Sequence, residues 1–206
     1  MEGSFLEQKN KLIGISAIEK SRGISITKKE QIKELVEQPL VKACEIFWDK
    51  NIKTYESSAN NKNIKEGFCW VRIDFNALSE ENKNIGMQIG EQQENNLGEN
   101  TLEIKIPITE VATIDEISNS AIEIANKFQK QKALWVNPIT LDETISHYEK
   151  RYGSKYPEAV TEEKERLSQP GVWEEECRKL GYFFDVKTQK AYKSEELYNK
   201  VEEFNK

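Results

Sequence analysis

Two stretches of strict alternation constrain the fold of this chain more than any other feature. In 68–75, Cys69, Val71, Ile73 and Phe75 alternate with Phe68, Trp70, Arg72 and Asp74. In 102–108, Leu102, Ile104, Ile106 and Ile108 alternate with Glu103, Lys105 and Pro107. Successive side chains of a strand point to opposite faces, so each stretch predicts a strand with one apolar face and one mixed face. An antiparallel sheet with one face on a core and the other toward water satisfies both patterns. Ile52 to Ser58 reads as a further strand, joined to 68–75 by the turn-rich Ala59–Gly67 connection and therefore expected to pair with it. Pro107 lacks the N–H of a ladder residue, which favours an edge position for its strand. Glu91 to Asn100 reads as a polar loop.

Helix signals surround these strands. Thr27-Lys-Lys-Glu30, Thr113-Ile-Asp-Glu116 and Thr140-Leu-Asp-Glu143 have the spacing of capping boxes, in which two orphan N–H groups are satisfied reciprocally. After the first, Ile32, Leu35, Val36, Leu40, Ala43, Cys44, Phe47 and Trp48 recur at helical steps up to Asn51. Pro39 interrupts that stripe and predicts a kink or two helices in tandem. Ser79 caps a helix weakened by Gly86 and Gly90, and Ile114, Ile117, Ala121, Ile124, Ala125 and Phe128 form another stripe.

The order helix, strand, strand, helix, strand, helix gives an α+β class: a small three-stranded, mainly antiparallel sheet with helices packed on one face. The expected organisation is an N-terminal arm or short helix over 1–26, an α+β core domain over 27–133, and a helical C-terminal region with a short β-hairpin over 134–206. In that last region Pro157 and Pro170 each fit the first turn of a helix, and 182–186 and 191–193 pair around Lys187-Thr-Gln-Lys190.

Charge and cysteine usage narrow the function classes. The 206 residues carry 30 Lys plus Arg against 36 Asp plus Glu, a formal net charge of −6. Arg occurs only at positions 22, 72, 151, 166 and 178, so the bidentate phosphate and base contacts that Arg makes best are scarce. Both facts make a nucleic-acid partner unexpected. Cys44, Cys69 and Cys177 are far apart and form no CxxC pair, which excludes a disulfide framework and a zinc ribbon. His147 is the single histidine, and no nucleotide loop, GxSxG elbow or HExxH motif is present, so neither a metal nor a cofactor is expected. The opening residues lack the pattern of a signal peptide and no run approaches the roughly 20 apolar residues of a membrane span, which predicts a cytoplasmic protein without a membrane partner. The heavy use of Lys, Asn and Ile matches an AT-rich coding genome and carries no function.

Two constellations are candidate sites. The first is the polar strand, where Thr54, Glu56 and Ser58 are expected on one face beside Arg72 and Asp74 of the next strand. Thr54, Ser57 and Ser58, with Asn60 and Asn61 at the strand end, would suit an anion or a substrate amide, and Glu56, Asp74 and Arg72 would be the acid–base machinery of an enzyme. A plain solvated face of an antiparallel sheet explains the same residues. The order Asn51, Thr54, Ser57, Ser58 ahead of 68–75 resembles the segment around the active site of the wybutosine-synthesis tRNA-modifying family. The family's Cys and Gly-Arg after the serines are replaced here by Ala59, Asn60 and Asn61. The second constellation is the aromatic tail, where Trp173, Tyr182, Phe184 and Tyr192 are candidates for an exposed anchor surface. The leading expectation is a non-enzymatic cytosolic binding or regulatory protein acting through a protein–protein interface, with a protein partner or by self-association. The alternative is a small enzyme or ligand-binding domain on the polar strands, taking a nucleotide or RNA.

Overall fold

The computed structural model describes residues 26–60, 63, 66–94, 99–108 and 112–205; the arm expected over 1–26 lies, but for Ile26, outside the described residues. Helix α1 (Gln31–Leu35) starts later than the Thr27 capping box would place it, and Glu30 makes no side-chain cap bond. Gln31 takes over the reach-back: its Oε1 accepts from the backbone N–H of Thr27 at 2.8 Å and of Lys28 at 3.0 Å. Val36 and Glu37 are extended, and α2 (Gln38–Asp49) then begins with Pro39 in its first turn, where a missing N–H costs nothing. The long apolar stripe is thus two helices in tandem. Asn51 ends it with φ +60°, a left-handed conformation that Asn tolerates.

The sheet has four strands, not three. Its order is β1 (Thr54–Ser58), β2 (Phe68–Asp74), β4 (Asn100–Pro107) and β3 (Glu91–Glu94), with every neighbouring pair antiparallel. The additional strand, β3, is Glu-Gln-Gln-Glu, which has no apolar residue to betray it. It forms because β4 turns back on it and pairs through the backbone over Asn100–Glu103. The Thr101 hydroxyl also donates to the Gln93 carbonyl at 3.2 Å. β4 is therefore interior along its first half. From Ile104 to Pro107 only β2 pairs with it, so Pro107 does sit on an open edge.

One face of the sheet is buried. Cys69, Val71, Ile73, Leu102, Ile104 and Ile106 pack with Leu40, Ala43 and Phe47 of α2 and with Ile117, Ala121 and Ala125 of α4 (Ile114–Lys127). Ile85 and Ile89 of α3 (Glu80–Ile89) complete this core. At Gly86 a Cβ would collide with the Leu102 side chain, so the glycine that weakens α3 is what lets it lie on β4. Ser79 caps α3, and the Thr113–Glu116 capping box forms in both directions.

The chain divides between Trp135 and Val136 into two compact units. The C-terminal unit holds α5 (Leu141–Tyr152), α6 (Pro157–Leu167), α7 (Val172–Lys179), the hairpin β5 (Phe183–Asp185) and β6 (Lys190–Tyr192), and α8 (Glu195–Glu202). The Thr140–Glu143 capping box is formed. Pro157 opens α6 as expected, but α7 begins two residues beyond Pro170, behind Gly171 at φ +81°. Leu167, Trp173, Cys177, Phe184 and Ala191 make this unit's core, and Ile139 bridges Ala191 through two backbone bonds of 2.7 and 2.9 Å. Among the described residues no helix is long and apolar enough to cross a membrane.

Candidate functional site

The sheet's second face carries the polar residues, and strand register sorts them into rows. One row runs Ser58, Trp70, Lys105; the next runs Glu56, Arg72, Glu103, Glu91; Phe68 lies opposite Pro107, and Asp74 opposite Thr101. Arg72 is the centre of this face. Its Nε and Nη2 donate to Glu103 Oε2 at 2.8 and 2.7 Å, and its Nη1 to Glu56 at 3.0 Å. Charge-assisted bonds of this kind hold a guanidinium in one orientation. The two carboxylates differ in setting: the Glu103 side chain is 8% exposed and that of Glu56 is 59% exposed. The locked guanidinium lies 4.7 Å from the centre of the Trp70 ring, and Lys105 lies 5.4 Å from that of Phe68. Both aromatics are half-buried.

Asp74 belongs to a separate group at the edge of this face. It accepts from the Tyr55 hydroxyl at 3.0 Å and from the backbone N–H of Ala77 at 3.2 Å, with the Lys53 ammonium 3.8 Å away. Burial, reinforced by the bond to Asp74 and that carboxylate's charge, pushes the Tyr55 hydroxyl well above its ordinary pKa, so it stays a donor. Glu56 and Asp74 therefore face different cations, Arg72 and Lys53, in place of sharing a proton.

The remaining residues of the polar strand disperse. A bulge between Thr54 and Glu56 shifts the register, so Thr54 pairs with Ile73 of the buried row and leaves the face it was expected to share with Glu56. Ser57 aligns with Val71 and hydrogen-bonds the buried Cys44 thiol, whose pKa burial pushes up to about 12 against the pull of that bond. Ser58 Oγ accepts from the backbone and side-chain nitrogens of Asn60 at 3.2 and 2.8 Å, and Asn60 Oδ1 accepts from Asn63 N–H at 2.9 Å. Asn61 lies outside the described residues. At the strand end, the Ala59 N–H donates to the Glu37 carboxylate, so an anion from the chain itself occupies that position.

The tail aromatics correct an expectation. Trp173, Phe184 and Tyr192 are buried, and Tyr182 is half-buried against the C-terminal unit's core, so these four do not form an exposed anchor surface. In this core Leu167, Ile139, Leu141 and Val172 pack with the large rings, which supply much of its apolar area. His147 is exposed and lines a groove of about 450 Å³ with Pro138, Ile139 and Tyr148.

Two polar features were missed by sequence reasoning. Glu103 sat in the mixed half of a recognised alternation, but its partnership with Arg72 depends on strand order, which one sequence does not encode locally. The other is a buried knot of amides. Asn51 Nδ2 donates to the Gln131 carbonyl at 2.9 Å, Gln131 Nε2 donates to the Ala77 carbonyl at 2.6 Å, and Gln131 Oε1 accepts from Ser79 N–H and Asn82 Nδ2 at 2.8 Å each. The Trp135 indole donates to the Asn51 carbonyl at 3.0 Å. Nothing in a polar Gln between two lysines signals this burial.

Among the described residues no group of three or more His, Cys, Asp or Glu side chains is placed to hold a metal ion. No protein-family model, curated protein or solved structure matches the chain.

Proposed function

We propose that this chain is a binding protein acting through a protein interface, and that the interface is the open face of the four-stranded sheet. The observation that carries this reading is Trp70, half-buried beneath a guanidinium that Glu56 and Glu103 hold in place on the sheet's polar face. Aromatic and Arg side chains dominate the energetics of protein interfaces, and fixing them before binding reduces the entropy lost on association. The sheet's edges support the same reading by being unsuited to strand addition. β1 has a bulge, the open half of β4 carries Lys105 and Pro107, and β3 is short with glutamates at both ends.

The test places a photo-reactive phenylalanine analogue at position 70 and, as control, at the exposed position 123 on α4. A protein cross-linked from position 70 alone is then purified and its binding measured directly. Trp70→Ala is expected to weaken that binding by about tenfold or more while leaving the fold intact. If the adduct is a second copy of the chain, sedimentation should show a dimer that Trp70→Ala dissociates. Equal adducts from both positions, or a purified partner indifferent to Trp70→Ala, would reject this interface.

A further inference from the structure

We infer that the segment docking on the open sheet face is apolar and basic, an inference that rests on the reading of that face as an interface. Its apolar corner is formed by Phe68, opposite Pro107, and Trp70 one row away. The cations over these rings come from the chain itself, so a partner meets them as apolar area with the charge requirement already met. The electrostatic need lies elsewhere on the face. Among the described residues the carboxylates there are Glu56, Asp74, Glu91 and Glu103, with Glu99 acting on Tyr55 beside Asp74, and the cations are Lys53, Arg72 and Lys105.

The unbalanced carboxylate is Glu91. It lies directly across from Glu103, an arrangement of like charges that destabilises a strand pair, and it forms no ion pair among the described residues. A depression of about 260 Å³ opens at this end of the row, bordered by Gln88, Gly90, Glu91, Glu103 and Lys105. Gly90 shapes it, since a Cβ there would stand 2.7 Å from the Glu103 carbonyl oxygen. The space suits one long side chain whose ammonium or guanidinium lies between Glu91 and Glu103, while an apolar neighbour covers Trp70 and Phe68. Lys105, 52% exposed and 3.8 Å from Glu103, borders this space. Aromatic residues on a four-stranded sheet also suit the bases of a single-stranded nucleic acid, but the surplus of carboxylates repels phosphates.

The full isotope-labelled chain is titrated with three probes: a short peptide alternating Leu and Lys, the same peptide with Glu in place of Lys, and oligouridine. The Leu–Lys peptide is expected to shift the Trp70 indole resonance and the amides of β2 and β4, and Glu91→Lys to weaken it by about tenfold with the spectrum otherwise unchanged. Preferential binding of the Leu–Glu peptide or of oligouridine on this face would overturn the inference. So would silence toward all three probes, or Leu–Lys binding indifferent to Glu91→Lys. The interface itself is judged separately by the position-70 cross-link. If the cross-linked partner segment is acidic, the charge assignment fails and the interface stands.

Discussion

The sheet unit and the C-terminal unit bury their apolar surface with different materials. The first layers Ile, Leu and Val from β2 and β4 against three helices, with Phe47 and Phe128 meeting edge to face at 5.4 Å. The second folds residues 136–206 around Trp173 and Phe184, with Tyr148 and Tyr182 against them. A shorter unit buries a smaller fraction of its surface, so each buried side chain has to contribute more area. Trp173, Phe184 and Tyr192 are consumed by that core. The sheet unit, covered by helices on one face, has Phe68 and Trp70 left over on the other. Aromatic density along a sequence therefore does not mark an exposed surface, because it does not distinguish rings a core requires from rings it leaves outside.

The largest expected effect tests whether the two cores are separately stable. Phe184→Ala should cost about 3–5 kcal/mol, comparable with all that one small core supplies. Cys177 is fully buried, with burial and the Glu176 charge raising its thiol pKa to about 11, so it reports on this unit. Cys44 and Cys69 report on the other. In the variant, alkylation of Cys177 should approach its rate in denaturant while Cys44 and Cys69 stay protected. If all three thiols open together, the units share one cooperative transition and the comparison fails.

Gln131→Ala is the converse experiment. It removes the acceptor of Ser79 N–H, one partner of Asn82 and the donor to the Ala77 carbonyl, leaving buried groups unpaired at a cost of about 3 kcal/mol. Alkylation of Cys44 and Cys69 should accelerate by about a hundredfold with Cys177 unaffected. A change below about tenfold would mean that water replaces the amide, and that the knot matters less than its geometry suggests.

These two sites also show what the sequence conveyed and what it withheld. Alternation at 68–75 and 102–108 announced the buried sheet face, because a period of two is written in neighbouring residues. The boxes at Thr113 and Thr140 were legible for the same reason, being complete within four residues. β3 was not legible, since an edge strand held by backbone pairing needs no apolar pattern. Thr54 was placed on the wrong face because a bulge inserts its extra residue without a local signature. Of the polar candidates, Glu56, Ser58, Arg72 and Asp74 share the open face as expected, whereas Glu103, which lies opposite Arg72 thirty-one positions away, emerges only once β2 and β4 are neighbours.

Within that face, Arg72→Ala should cost about 2 kcal/mol. It leaves Glu103 nearly buried with only Lys105 at 3.8 Å and Gln93 at 3.5 Å to offset its charge. Replacing Glu103 by Gln in the Arg72→Ala background should recover much of this loss, because the stranded charge is then gone. Urea unfolding of the unsubstituted protein and the two variants measures both steps, and absence of recovery would place the cost in lost packing on Trp70.

The smallest effect is expected where the same guanidinium meets its other carboxylate. Glu56 is 59% exposed, so its 3.0 Å pair with Arg72 is solvated, and holding two long side chains in register offsets most of its attraction. Glu56→Gln should therefore change stability by less than about 0.5 kcal/mol, against about 2 kcal/mol for Arg72→Ala. The amide still accepts a bond from Nη1, so Trp70 should keep its position and its fluorescence, and binding of the purified partner should stay within about twofold. A large loss of partner affinity with stability unchanged would give Glu56 a direct contact with the partner. Loss of an enzymatic activity on the same substitution, with the fold intact, would instead favour the reading of the polar strand as a reactive site and set the interface aside.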